Sequence, residues 1–84
     1  MPPVPDWLKA RNGELKSSSA WPGAFVYFGQ EPQYEVAVVP VKGQFGCRIV
    51  QSINGKPIAC PGVFATPDEA IRGGLEVLRN YLGW

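Results

Sequence analysis

Few residues in this 84-residue chain could carry chemistry. Histidine is absent, which removes the commonest general base, proton shuttle and metal ligand. The two cysteines, Cys47 and Cys60, cannot form a four-ligand zinc site without carboxylates or a partner. A reactive thiolate also needs a neighbouring base or cation, and no histidine can supply one. The residue inventory therefore predicts a protein that is not an enzyme and has no cofactor or metal.

The two cysteines have two possible structural roles. In the strand register predicted below, Cys47 and Cys60 project from the same sheet face in diagonal positions, so a disulfide between them is geometrically feasible. We favour the other interpretation, in which both are buried free thiols that act as small hydrophobic side chains.

Carboxylates and glycines give no stronger signal for a site. Glu31 and Glu35 flank a turn, and Asp68 and Glu69 stand where they favour the start of a helix dipole. We interpret both pairs as capping or solvated residues. The glycine spacing at positions 43–46 lacks the strand, Gly-rich loop and helix with Lys and Ser or Thr that a nucleotide-binding loop requires.

Composition indicates one small globular domain covering residues 1–84. Hydrophobic residues make up 45% of the chain and the net charge is +1, with no Lys or Arg cluster, which weighs against nucleic-acid binding. No apolar run approaches the roughly 20 residues that span a bilayer, and the start has no signal-peptide pattern. We therefore expect a cytoplasmic protein without a membrane segment. Residues 1–5 are Pro-rich and are predicted to be a mobile lead-in.

The middle of the chain predicts an antiparallel meander. Asn54-Gly55 is a strong signal for a two-residue type I′ hairpin, and Lys42-Gly43 closes a second hairpin, whereas Lys16–Ser19 is interpreted as a loop. Pro40 cannot donate to a ladder and marks an edge or a bulge. The predicted strands are Ala24–Phe28, Tyr34–Val41, Phe45–Ile53 and Lys56–Cys60.

Side-chain alternation along these strands predicts one core face. In this register Ile53 lies opposite Lys56, and Ile49 lies opposite Cys60. The predicted core face then comprises Tyr34, Val36, Val38, Phe45, Cys47, Ile49, Ile53, Ile58 and Cys60.

Helix signals stand at both ends of the chain. Thr66-Pro67-Asp68-Glu69 combines an N-cap, a proline at the first helical position and a capping-box Glu, and it predicts a helix to about Leu82. Gly73-Gly74 inside that helix costs about 1 kcal/mol per Gly, which close packing on the sheet can offset. A short helix is also predicted at Trp7–Arg11, capped by Asp6 and stopped at Asn12-Gly13.

The predicted fold class is therefore α+β: an antiparallel three- to four-stranded meander packed against one C-terminal helix, with a short N-terminal helical turn. The sheet face opposite the core is too apolar for an ordinary solvated surface. Either Trp7, Leu8, Leu15 or Trp21 folds over it, or it binds a partner or a second copy. The candidate interaction residues are Val39, Val41, Lys42, Arg48, Val50 and Lys56.

Two resemblances arise from motifs along the chain. Taken together, five short segments resemble a family of short uncharacterised bacterial proteins, a likeness that implies no function: 6–11, 31–34, 54–56, 73–76 and 82–84. The stretch from Gly43 through Arg48 and Asn54-Gly55-Lys56 to Ala70 is similar in topology to AP2-type and integrase N-terminal DNA-binding domains. That resemblance implies DNA reading from the exposed sheet face, where Arg48 projects among valines.

Two functions follow as hypotheses. The first is a small non-enzymatic interaction module that binds a protein partner or itself through the apolar sheet face. The alternative is a weak nucleic-acid-binding domain that uses Arg48, Lys42 and Lys56 beside exposed aromatic side chains.

Overall fold

The protein is a five-stranded antiparallel sheet backed by one long helix, which confirms the α+β class. The structure, a computed structural model, describes residues 3–84. The strands are adjacent in chain order. The elements are α1 (Asp6–Lys9), β1 (Gly13–Ser17), β2 (Gly23–Phe28), β3 (Glu31–Val41), β4 (Gln44–Gln51), β5 (Pro57–Ile58) and α2 (Pro67–Leu82).

The N-terminal region differs from expectation in its lead-in and in its helix cap. Met1 and Pro2 of the predicted lead-in lie outside the described residues, whereas Val4 packs against the core. Asp6 is the first residue of α1 and Pro5 is its N-cap, so the predicted capping role of Asp6 is wrong. The chain does turn at Asn12, as predicted, with φ 58.

The sequence predicts a loop at Lys16–Ser19, but Lys16 and Ser17 form the second half of strand β1, so that prediction is wrong. Lys16 pairs with Phe25 and Ser17 with Ala24 along the β1–β2 ladder. The segment lacks the aromatic and β-branched residues that usually mark a strand, because it lies at the edge of the sheet and buries little. The sheet consequently has five strands rather than three or four.

The type I′ hairpin turn lies at Lys42-Gly43. These two residues join Val41 to its partner Gln44 and have φ values of 48 and 83. Ala37 is the last residue of β3 that pairs with β2. Pro40 lies beyond it, so the N–H group that proline lacks would have had no partner strand on that side of β3. The predictions of a hairpin at Lys42-Gly43 and of an edge at Pro40 are confirmed.

The predicted two-residue turn at Asn54-Gly55 is wrong. Gly55 has φ 68 but Asn54 does not have a positive φ, and the loop spans four residues between Gln51 and Lys56. The backbone N–H of Gln51 donates to the carbonyl of Lys56 at 2.9 Å. The Asn54 side chain is used locally instead, since its Oδ1 accepts from the Lys56 backbone N–H at 2.9 Å.

This longer loop shifts the register of β4 against β5 by two residues. Ile58 pairs with Ile49 instead of Gln51, and β5 shortens to Pro57–Ile58. A shift of two keeps each side chain on its predicted face. Ile53, however, leaves the ladder and is 84% exposed, so its predicted place in the core is wrong.

The same shift brings Cys60 opposite Cys47 instead of diagonal to it. The two form a disulfide with a Cα–Cα distance of 6.1 Å. The interpretation as two free thiols is therefore wrong, because it followed the usual behaviour of buried cysteines in a reducing compartment and not the positions of these two residues.

A single core lies between the sheet and α2. Thr66 Oγ1 accepts from the Glu69 backbone N–H at 3.2 Å, and the C-cap Gly83 has φ 76, so α2 begins and ends as predicted. The sheet and the two helices contribute these buried side chains to the core: Leu8, Ala24, Val26, Tyr34, Val36, Val38, Cys47, Ile49, Ile58, Ala70, Ile71, Leu75 and Leu78.

Gly73 and Gly74 allow α2 to approach the sheet closely. A Cβ atom at Gly74 would lie 2.8 Å from Val36 Cγ1 and 2.9 Å from Cys47 Sγ, and one at Gly73 would overlap the Phe64 ring. The predicted compensation for these two glycines is confirmed.

Candidate interaction surface

Within the described residues 3–84, no helix covers one face of the sheet. α2 packs against β2, β3 and β4 from the other side, and Leu8 of α1 joins the core there. The strand register places the following side chains at the centre of the uncovered side, which we call the open face: Phe25, Glu35, Ala37, Val39, Arg48 and Val50.

Of the four residues predicted as a possible cover, only Trp21 lies on the open face. Leu8 is fully buried in the core, and Leu15 pairs with the core residue Val26. Trp7 packs against Trp84, with ring centroids 6.0 Å apart. Trp21 contacts Phe25 edge to face at 5.2 Å between centroids, so it covers one margin of the face and leaves the centre open.

The apolar part of the open face surrounds a shallow concavity. Phe25, Ala37, Val39 and Val50 are each partly exposed on this face. The concavity has a volume of about 300 Å³, and its lining comprises Trp21, Pro22, Glu35, Ala37, Val38, Val39, Arg48 and Val50. A contiguous apolar surface with a polar margin is the usual character of a protein-binding site.

Two opposite charges stand next to each other in this surface. Glu35 pairs with Val50 and Ala37 pairs with Arg48, so the carboxylate and the guanidinium are diagonal neighbours on β3 and β4. Within residues 3–84, neither side chain forms a hydrogen bond or an ion pair. Their hydrogen-bonding capacity is available to a ligand.

A cation and an aromatic ring extend the open face toward β1. Lys16 lies opposite Phe25, and its ammonium nitrogen is 4.5 Å from the centroid of the Tyr27 ring. This cation–π contact holds the Lys16 side chain over the sheet.

The structure brings together half of the predicted interaction residues. Val39, Arg48 and Val50 lie on the open face, and Val41 lies at its far end and is 36% exposed. Lys42 is in the hairpin turn.

Lys56 does not lie on the open face. This residue lies opposite Gln51, at a register position that belongs to the helix-covered face. Sequence reasoning also omitted Trp21 and Phe25 from the candidate set. Phe25 alternates with Ala24 and Val26 and was readable as an outward residue, but its alignment with Glu35 depends on a β2–β3 pairing that the sequence does not specify.

Other chemical groups in the described part of the chain do not converge into a site. Residues 3–84 contain no group of three or more His, Cys, Asp or Glu side chains able to hold a metal ion. Burial raises the pKa of Tyr34 above its ordinary value of 10.0, with a smaller contribution from the Tyr81 phenol. No helix among these residues is both long and apolar enough to cross a membrane.

The fold and surface thus define a small α+β domain with one covered and one open sheet face. Comparison with protein-family models, with curated proteins and with solved structures finds no match to this chain.

Proposed function

We propose that this protein is a small non-enzymatic interaction module whose open face binds another protein molecule. The observation that supports this function is the apolar centre of that face, half-buried and bordered by Arg48 and Glu35 without partners among the described residues. Protein domains normally bury each apolar sheet face against a second layer. Residues 3–84 provide no second layer on one side of this sheet, and a bound protein would supply it.

The residue types on this face suit tight binding. Trp and Arg dominate the energetically important positions of protein interfaces, and Trp21 and Arg48 stand on opposite sides of the same concavity. Burying an apolar side chain there yields about 25 cal/mol per Å² removed from water. Arg48 and Glu35 fix the orientation of the bound protein. A protein bound in another orientation would remove water from these two charges without offering an opposite charge to either.

Site-specific photo-crosslinking in the cells that make the protein tests this function. A photoreactive amino acid at Ala37, in the centre of the open face, should crosslink to a protein. The same group at Asn80, on the exposed side of α2, is the matched control and should give little product. Adding Val50→Asp to the Ala37 probe should reduce the yield. Equal yields at Ala37 and Asn80 would contradict the proposal.

A second candidate function, binding of single-stranded nucleic acid, is supported by one specific observation. The aromatic rings of Trp21, Phe25 and Tyr27 lie on the same side of the sheet as the cations Lys16 and Arg48. Bases stack on exposed aromatic side chains of open sheets, and cations contact the phosphates. The carboxylate of Glu35 within the same surface opposes this use, which places it second.

Fluorescence anisotropy with a labelled oligonucleotide distinguishes this second function. It requires binding at low salt that weakens as salt rises, and a further loss with Arg48→Glu. Absent binding at low salt, or binding that ignores the Arg48→Glu change, would exclude it.

A further inference from the structure

We propose that the molecule bound on the open face is a second copy of this chain, related by a two-fold axis that pairs Arg48 of each protomer with Glu35 of the other. The inference rests on the proposed function, since it names the partner of the same surface. Three features of the surface point to a second copy: its charge arrangement, the composition of β3 and the shape around Arg48.

The charge arrangement is self-complementary. In a two-fold interface the same patch meets itself, so a patch with one sign of charge would repel its copy. Glu35 and Arg48 instead form a diagonal pair of opposite charges on the two strands with the longest ladder. A two-fold axis that passes between them exchanges their positions, so that each Arg48 faces the partner's Glu35.

The composition of β3 indicates a strand covered on both faces. Val36 and Val38 point to the core, and Ala37 and Val39 point to the open face, so the strand is apolar on both sides over this stretch. Continuous apolar runs are typical of strands buried between two layers, whereas a half-exposed antiparallel strand alternates apolar and polar residues. Two copies packed face to face, with their sheets about 10 Å apart, give β3 a second layer.

The shape around Arg48 also suits a copy of the same surface. The concavity of about 300 Å³ lies between the Trp21 margin and Arg48, and it is bordered by both members of the charge pair. When Arg48 of one protomer extends toward the partner's Glu35, it enters the partner's concavity, and the reverse holds for the other protomer. Because Glu35 and Arg48 balance each other at the centre of the face, that centre has no excess charge that would select a strongly charged foreign partner.

Analytical ultracentrifugation of a charge-swap series tests the inference. Wild-type protein should sediment as a dimer that dissociates on dilution. Arg48→Glu and Glu35→Arg should each raise the dissociation constant at least about tenfold, because each places like charges opposite one another. The double variant Arg48→Glu/Glu35→Arg restores opposite charges and should recover the dimer. Lys56→Glu makes the same charge change off the open face and should leave the dimer intact.

Three results would overturn the pairing: a monomer up to about 1 mM protein, a dimer that is indifferent to Arg48→Glu, or a double variant no better than the single ones. Circular dichroism of each variant establishes that the chain is folded before its mass is interpreted. The proposed function fails separately. A monomeric wild type whose Ala37 probe still crosslinks to a different protein overturns self-pairing only, whereas equal crosslinking at Ala37 and Asn80 overturns the interaction module itself.

Discussion

Cys47 and Cys60 are separated by 13 positions and are joined across the end of the β4–β5 hairpin. β5 has only two residues, so the backbone ladder alone holds this edge of the sheet weakly. The cross-link acts together with the backbone hydrogen bonds between Phe45 and Phe64 to hold the segment after β5. Such a bond persists in oxidising compartments and is reduced by cytosolic thiols, so the stability of this edge depends on the redox environment. The cytoplasmic location stays a prediction.

We expect Cys47→Ala/Cys60→Ala to lower the free energy of unfolding by about 3 kcal/mol, because a cross-link of this loop length removes entropy from the unfolded chain. Urea denaturation of the oxidised wild type and the variant measures the difference. A reductant should weaken the wild type and leave the variant unchanged. Equal stability of the two oxidised proteins would show that the disulfide contributes nothing to the fold.

Tyr34 makes the stability of the core sensitive to alkaline pH. Burial raises the pKa of its phenol above the value of about 10 that applies in the unfolded chain, so the folded state holds this proton more tightly. The resulting stabilisation is complete below about pH 10 and is lost as pH rises through the folded pKa. Unfolding free energies measured between about pH 8 and 11 should therefore fall more steeply for wild type than for Tyr34→Phe.

Tyr27→Phe is the control for this titration, since it removes a phenol from the uncovered side of the sheet. It should keep the steep alkaline decline of the wild type. A Tyr34→Phe profile that runs parallel to the wild-type profile would contradict the role assigned to the buried phenol.

At the scale of elements, α2 depends on a glycine for its distance from the sheet. We expect Gly74→Ala to destabilise the fold by about 1 kcal/mol, although alanine is the better helix former, because the added methyl group crowds Val36 and the cross-linked Cys47. Asn80→Ala, on the exposed side of the same helix, should be neutral or slightly stabilising. Thermal unfolding compares the three proteins, and a Gly74→Ala variant as stable as wild type would contradict the close approach.

Elements with local signals were predictable, and those set by distant pairing were not. Thr66, Pro67 and Gly83 mark the ends of α2 within the helix itself, so its bounds follow from neighbouring residues. β1 carries no such signal, because its pairing with β2 is what makes it a strand. The Asn54-Gly55 motif predicts a two-residue turn. A four-residue loop forms instead, since it brings Ile58 opposite Ile49 and Cys60 opposite Cys47.

The same limit applies to the candidate site. Its apolar strand residues were predicted, because alternation alone assigns Val39 and Val50 to the face opposite the core. The sequence does not determine which segment covers that face, because the cover depends on where α1 packs. Leu8 lies against Gly13, whose missing side chain leaves room for it, and this contact carries α1 to the helix-covered side. The packing of Leu8 on the helix-covered side therefore depends on a glycine in β1.

For the whole molecule, the consequence of self-pairing is a stability that depends on concentration. Unfolding of a dimer releases two chains, so its thermal midpoint rises with protein concentration, by about 4 °C per tenfold increase for chains of this length. We expect this rise in calorimetric scans of wild type and of Lys56→Glu, which keeps the open face unchanged. Arg48→Glu should show a lower midpoint that does not move with concentration, because its unfolding involves one chain. A wild-type midpoint that is constant over a hundredfold concentration range would mean that the chain melts as a monomer, with the apolar half of β3 in contact with water.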